Sequence, residues 1–297
     1  DTESARDYVL RTVNAEINDY LCEPMVRTML LANSNKASKV EFFSALANGF
    51  GNRFLYLNGG LNRFARDLAQ HLDIRLQSPA TRVADHGDHV AVTWQTQGLD
   101  PETQKATACV VSCPLPVANR ICEGYAAILQ PLNEKLDYTQ SIAVGIGSTV
   151  VPDARAFLVQ LSSRESKEIA VLVLEHNKAS NLAPEGHGMI TALWETDAAT
   201  RYLAKDDATI IAKTLETVFK VFPEIKGYVD VTHVTRWPLA LPFTQVGAYR
   251  AIDAFNARIN PASRVQFAAD FMSAAGQNTA VEFGTRAART IDSAFGK

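Results

Sequence analysis

Cysteine is scarce in this chain. Its four cysteines, Cys22, Cys109, Cys113 and Cys122, are too few for a disulfide framework in 297 residues, and no CxxC pair has a second pair downstream to close a zinc site. A reducing, cytoplasmic setting is therefore expected. Long apolar runs are missing as well: none reaches the roughly 20 residues that cross a bilayer. The opening Asp1-Thr-Glu-Ser-Ala-Arg6 is too polar for a signal peptide. There is no surplus of positive charge, since 29 Lys and Arg face 32 Asp and Glu for a formal net charge of −3, and no segment gathers the basic residues. That excludes electrostatic binding of nucleic acid or an anionic membrane. The six histidines do not fall at metal-ligand spacings, so no metal is expected. Internal repeats and low-complexity tracts are absent too, which excludes a solenoid.

What remains is an ordinary globular composition, 47% hydrophobic and 21% charged, in a chain long enough for one large core or two smaller ones. Small-molecule chemistry fits it best. From Thr2 to about Ala47 the apolar residues Val9, Leu10, Val13, Ile17 and Leu21 recur at helical spacing, and three short helices are expected, with breaks at Pro24 and Ala32-Asn-Ser-Asn-Lys36. Ser38 followed by Glu41 reads as a capping box. Loops are expected at Asn48-Gly-Phe-Gly51 and Asn58-Gly-Gly60, then an amphipathic helix over 61–72 with Phe64, Leu68 and Leu72 on one face. Ile74–Gln77, Thr81–Ala84, His89–Trp94 and Ala106–Ser112 read as strands, with Cys109 and Cys113 on one face of the last. Further strands at 142–150, 156–161, 169–174, 189–194 and 228–237 suggest a larger mixed or antiparallel sheet, joined by helices over 198–204 and 207–222.

Chemistry enters near the end of the chain. The stretch Arg264-Val-Gln-Phe-Ala-Ala-Asp270-Phe-Met-Ser-Ala-Ala-Gly276-Gln-Asn-Thr279-Ala-Val281-Glu-Phe-Gly284 sets one carboxylate between a short apolar strand and a helix start. There, unsatisfied backbone N–H groups and the positive end of a helix dipole converge, and Asp270 can accept hydrogen bonds from hydroxyls. Two more motifs precede it. Gly59-Gly60 opens a helix that leads to Thr81-Arg-Val83 and then to Val110-Val-Ser-Cys113-Pro114, and Arg236-Trp237-Pro-Leu-Ala-Leu-Pro242 lies later. Alone, each has a plain reading as a cap, a turn or a core residue.

In this order the three motifs resemble the FAD-dependent amine oxidase and protoporphyrinogen oxidase superfamily. The resemblance implies an acid on the flavin ribityl chain (Asp270), a helix start facing the pyrimidine ring, and a valine whose backbone reads adenine (Val83). It also implies an aromatic residue beside the isoalloxazine, Trp237. Cofactor contacts are thus expected at Val83, Cys113, Trp237, Asp270, Phe271, Thr279, Ala280 and Val281, with no catalytic residue assigned. There are departures from the family pattern. Ala269 and Thr279 stand where glycines are usual, and Phe283 where a small serine is. No lysine counterpart is found in Ser141–Thr149, which moves the expectation from simple amines toward protoporphyrinogen oxidase-like or desaturase-like chemistry. Nor do the 297 residues contain GxGxxG; Asn48-Gly-Phe-Gly-Asn-Arg53 lacks the third glycine.

The expected architecture is an α/β, two-domain flavoprotein fold of FAD/NAD(P)-binding type, represented by its C-terminal two-thirds. Residues 59–118 and 246–297 are assigned to the FAD-binding domain, and 1–58 and 119–245 to a substrate domain of helices and a mixed sheet. The expected function is FAD-dependent oxidation, with hydride passing from a substrate C–H or C–N unit to flavin. The expected partners are a small-molecule substrate and an N-terminal FAD-binding segment, separate or cleaved. The alternative is a non-catalytic binding or assembly subunit that no longer binds FAD.

Overall fold

A computed structural model describes residues 1–49, 51, 56–273 and 276–296. The expected turn at Phe50 and the Arg53 end of the Asn48–Arg53 segment lie outside them, as do Ala274 and Ala275. Two compact units result: Asp1–Tyr56 with Tyr138–Val246, and Leu57–Asp137 with Gly247–Lys297. Residues 119–137, grouped by the sequence reading with the substrate region, pack in the second unit. The cause is the apolar helix Ala126–Asn133, whose Leu129 and Leu132 are buried and which packs against the helix Ala248–Arg258. Among the described residues no helix is long and apolar enough to cross a membrane.

The first unit is built on five strands in the order Val229–Trp237, Ser141–Ser148, Gly188–Trp194, Ile169–Leu174 and Leu158–Gln160. Every neighbouring pair is antiparallel. Alternating side chains place Ile142, Val144, Ile146, Ile190, Ala192 and Trp194 in one core, which the helix Asp207–Val221 covers with Ile210 and Val218. The Trp194 indole N–H donates to Thr214 Oγ1 at 3.0 Å, so the largest core side chain also has its polar atom satisfied. The N-terminal helices Ala5–Thr12, Glu23–Leu30 and Lys39–Gly49 form a second cluster around Val9, Val26 and Phe42. Pro24 does not break this region. It sits in the first turn of its helix, where a missing N–H costs nothing. Of the Ser38 capping box half is seen: the Val40 N–H donates to Ser38 Oγ at 3.3 Å, while the Glu41 carboxylate takes the Thr244 hydroxyl.

In the second unit a three-stranded antiparallel sheet joins Ala80–Asp85, Val90–Trp94 and Glu102–Ala106. Ile74–Gln77 is not a strand. Gln77 takes a left-handed φ of 55° and Pro79 follows two residues later, so the ladder starts only at Ala80. The expected strand 106–112 shortens to Cys109–Val111, which pairs in parallel with Val265–Phe267, while Ala106 ends a separate strand, Glu102–Ala106, that belongs to this sheet. Cys113 therefore lies beyond its strand, ahead of the helix Leu115–Ile121, and does not share a strand face with Cys109. The helix near residues 61–72 is shorter than expected, Arg63–Ala69, and Phe64, Leu68 and Leu72 are exposed.

Candidate cofactor site

Two parallel strands that end side by side leave a crevice beyond their carboxyl ends, because the chain must leave both strands there. Val265–Phe267 and Cys109–Val111 form such a pair, extended by the Ala268 N–H donating to the Val111 carbonyl at 3.0 Å. All three residues of the first strand are buried. Gln266 can be among them because its amide donates to the Asn260 and Ser263 carbonyls.

Beyond these ends the chain makes a short 3-10 turn, Asp270–Met272, and then the 19-residue helix Gln277–Phe295. No side chain caps this helix at Gly276 and no acidic residue occupies its first turn. The first backbone bond closing it here runs from the Ala280 N–H to the Gly276 carbonyl, so the N–H groups of residues 277–279 have no partner within the helix. A cavity of about 510 Å³ opens at this point, lined by Ser112, Pro114, Ala269, Asp270, Thr279 and Ala280 among others. Its helical wall is made of small residues one turn apart, Gly276, Ala280 and Gly284. A Cβ added at Gly284 would meet nothing within 4 Å, which leaves that part of the wall roomy. A carboxylate, orphan N–H donors and a wall without bulk suit a flat ring carrying a polyol.

The structure thus brings together Asp270, Thr279 and Ala280 of the residues singled out from sequence. Cys113 does not line the cavity itself, but its neighbours Ser112 and Pro114 do. Burial pushes its thiol pKa up, and the charge of Asp270 adds to the shift. Phe271 is 0% exposed and turns into the core, edge-on to Phe255 and Phe267 with centroids 5.7 and 6.3 Å away. Val281 is on an exposed face of the helix. Val83 is buried on Ala80–Asp85, which among the described residues pairs only with Val90–Trp94 and is an edge of its sheet. It does not line this cavity; the end of its strand, Asp85, lines a second one of about 340 Å³ with Val265 and Phe267. Trp237 belongs to the other unit, where it closes its strand opposite Ser141 and is 50% exposed.

Ala268, Gly276 and Gly284 also line the cavity and were not singled out from sequence. The signal was present in the Gly276, Ala280, Gly284 spacing, which puts three small side chains on one helix face.

The family model described as flavin containing amine oxidoreductase matches residues 4–292. Among solved structures the chain is similar to cyclohexylamine oxidase from Brevibacterium oxydans IH-35A, with TM-score 0.77, 15% identity, and coverage of 100% of this chain and 68% of that one. A redesigned putrescine oxidase triple mutant gives TM-score 0.79 at 16% identity, covering 99% of this chain and 68% of the other. Reduced UDP-galactopyranose mutase follows with TM-score 0.61, 12% identity, and coverage of 86% and 59%. No curated protein matches.

Proposed function

We propose, because the chain belongs to the flavin containing amine oxidoreductase family, that it takes FAD in the cavity beside Asp270 and acts as an oxidoreductase on an organic C–H or C–N unit. The observation that carries this reading is the meeting of Asp270, the uncapped helix start and the small-residue wall at the ends of two parallel strands. Bound flavin supplies the hydride-accepting ring. Asp270 would accept hydrogen bonds from the ribityl hydroxyls, and the N–H groups of residues 277–279 would donate to the electron-rich edge of the ring. Val110 and Pro114 give the cavity an apolar side that limits water. In the same reading the Val83 backbone would contact adenine and Cys113 would hold the turn beneath the nucleotide. A strand–glycine loop–helix segment, joined or separate, would hold the phosphates. The cysteines are all free thiols, in keeping with a cytoplasmic protein. The mutase among the similar folds advises against naming the substrate from the fold.

The test is Asp270→Ala in the chain reconstituted with flavin, followed by equilibrium dialysis. Binding should weaken by about 1–3 kcal/mol, the loss for hydrogen bonds to a charged acceptor. Equal affinity of variant and wild type would remove Asp270 from the site. Failure of the wild-type chain to take up flavin, with or without a glycine-loop segment, would favour the non-catalytic reading instead.

A further inference from the structure

We propose that the cavity beside Asp85 is a binding site for a small primary ammonium ion with an apolar body. It lies within the second unit, shares no lining residue with the cofactor cavity, and does not rest on the oxidoreductase reading. Its volume of about 340 Å³ suits one small molecule. Ile128, Ile259, Val265 and Phe267 give it an apolar side, and Asp85, Tyr125 and Ser263 bring polar groups to it from separate segments of the chain.

Each of these walls is held in place by its own contacts. Buried Gln266 donates its amide hydrogens to the Asn260 and Ser263 carbonyls at 3.0 and 2.9 Å, which pins the loop that carries Ser263. The Tyr125 ring stands edge-on to Phe267, with centroids 5.6 Å apart. Asp85 is fixed by the Gly87 N–H, which donates to its Oδ1 at 2.8 Å. A pocket held in this way loses little conformational freedom when a ligand enters.

The order of the hydrogen bonds decides what the cavity recognises. Tyr125 Oη is 3.2 Å from Asp85 Oδ2 and 2.8 Å from Ser263 Oγ. An ionised carboxylate only accepts, so both contacts are made only when the tyrosine donates its single hydrogen to Asp85 and Ser263 donates its own to the tyrosine oxygen. Ser263 Oγ in turn accepts the Val265 N–H at 3.2 Å. Both hydroxyl hydrogens are then spent, and what these groups have left is lone pairs, most of them on Asp85. Their ligand must donate. Charge narrows the choice further, because among the described residues Asp85 has no ion-pair partner. Arg82 pairs with Glu123 at 3.4 Å, and Arg264 donates to the Gly87 and Thr107 carbonyls and lies over the Phe295 ring. An ammonium group brings three donors and a positive charge, whereas an alcohol brings one donor and no charge, and a carboxylate is repelled. The apolar side of the cavity takes the alkyl or aryl body of the same molecule.

Titration of the isotope-labelled full chain with hexylamine, followed through its backbone amide resonances, tests this. At about pH 7 the amine is protonated, as a lysine side chain is. One site per chain is expected, with shifts centred on Gly87, Gly124 and Ser263. Hexanol should bind more weakly by about tenfold or more, the loss of a charge-assisted hydrogen bond, and hexanoate should not bind. Asp85→Asn should weaken hexylamine by about the same factor. Ile128→Trp, which fills the apolar side and leaves the acid in place, should abolish binding, and circular dichroism should show both variants folded; the comparison of the three probes needs no variant. Equal affinity for amine and alcohol, full affinity in Asp85→Asn, or no shifts at millimolar amine overturns the proposal. Shifts centred on Thr279–Gly284 instead would place the amine in the cofactor cavity and overturn it as well.

Discussion

Glu195 and Asp270 are both carboxylates next to helix starts, yet their surroundings differ. Glu195 is buried, accepts the N–H groups of Asp197 and Ala198, and also receives Asn33 Nδ2 at 3.4 Å. Burial raises its pKa above the usual 4.5, the two backbone bonds pull it back, and the nearby Arg27 guanidinium lowers it further without cancelling the rise. The folded protein therefore holds this proton more tightly than the unfolded chain. Stability from Glu195 is greatest below its ordinary pKa and is lost as pH climbs from there toward the raised value. Glu195→Gln removes that dependence. In urea titrations the variant should gain on the wild type as pH rises through this window; two parallel curves would mean that Glu195 titrates as in the unfolded chain. None of this was readable in sequence, because Arg27 donates to the Ser166 and Ile169 carbonyls from far along the chain. The place of Asp270 between a strand end and a helix start was readable, since it depends on neighbours in sequence.

The C-terminal helix shows how an element makes a site from residues with little chemistry of their own. Its start supplies donors and its wall supplies space, and both depend on small side chains at 276, 280 and 284. Ala280→Leu should abolish flavin binding by filling the cavity while leaving the melting temperature within a few degrees of wild type, because Ala280 is exposed and buries nothing. Gly284→Ala should be tolerated, as its Cβ meets open space. Flavin retained in the leucine variant, read by fluorescence quenching, would place the ring elsewhere. Elements were legible where burial imposed a period: Ile169–Leu174 and the long helix from Asp207 are found where the apolar pattern puts them. Glu102–Ala106 was not legible. Four of its five side chains are exposed, so only pairing with Val90–Trp94 marks it as a strand.

For the molecule as a whole, binding energy must be divided among the parts of the cofactor. FAD carries two phosphate charges, which flavoproteins of this architecture usually rest on a glycine loop and the helix it opens. The 297 residues contain no GxGxxG, whereas on the proposed reading the cavity beside Asp270 would hold the polyol and a ring edge. Adenine would gain only a backbone contact at Val83, worth about 1 kcal/mol. The chain by itself should therefore bind riboflavin nearly as well as FAD, within about tenfold, or about 1.4 kcal/mol. Supplying a strand–GxGxxG–helix polypeptide should strengthen FAD selectively and leave riboflavin almost unchanged, because only FAD has phosphates to place on the added loop. Fluorescence titrations with riboflavin, FMN and FAD, with and without that polypeptide, separate the cases. If the chain alone prefers FAD by several orders of magnitude, the phosphates already have partners within these residues, and the division of labour argued from the missing glycines fails.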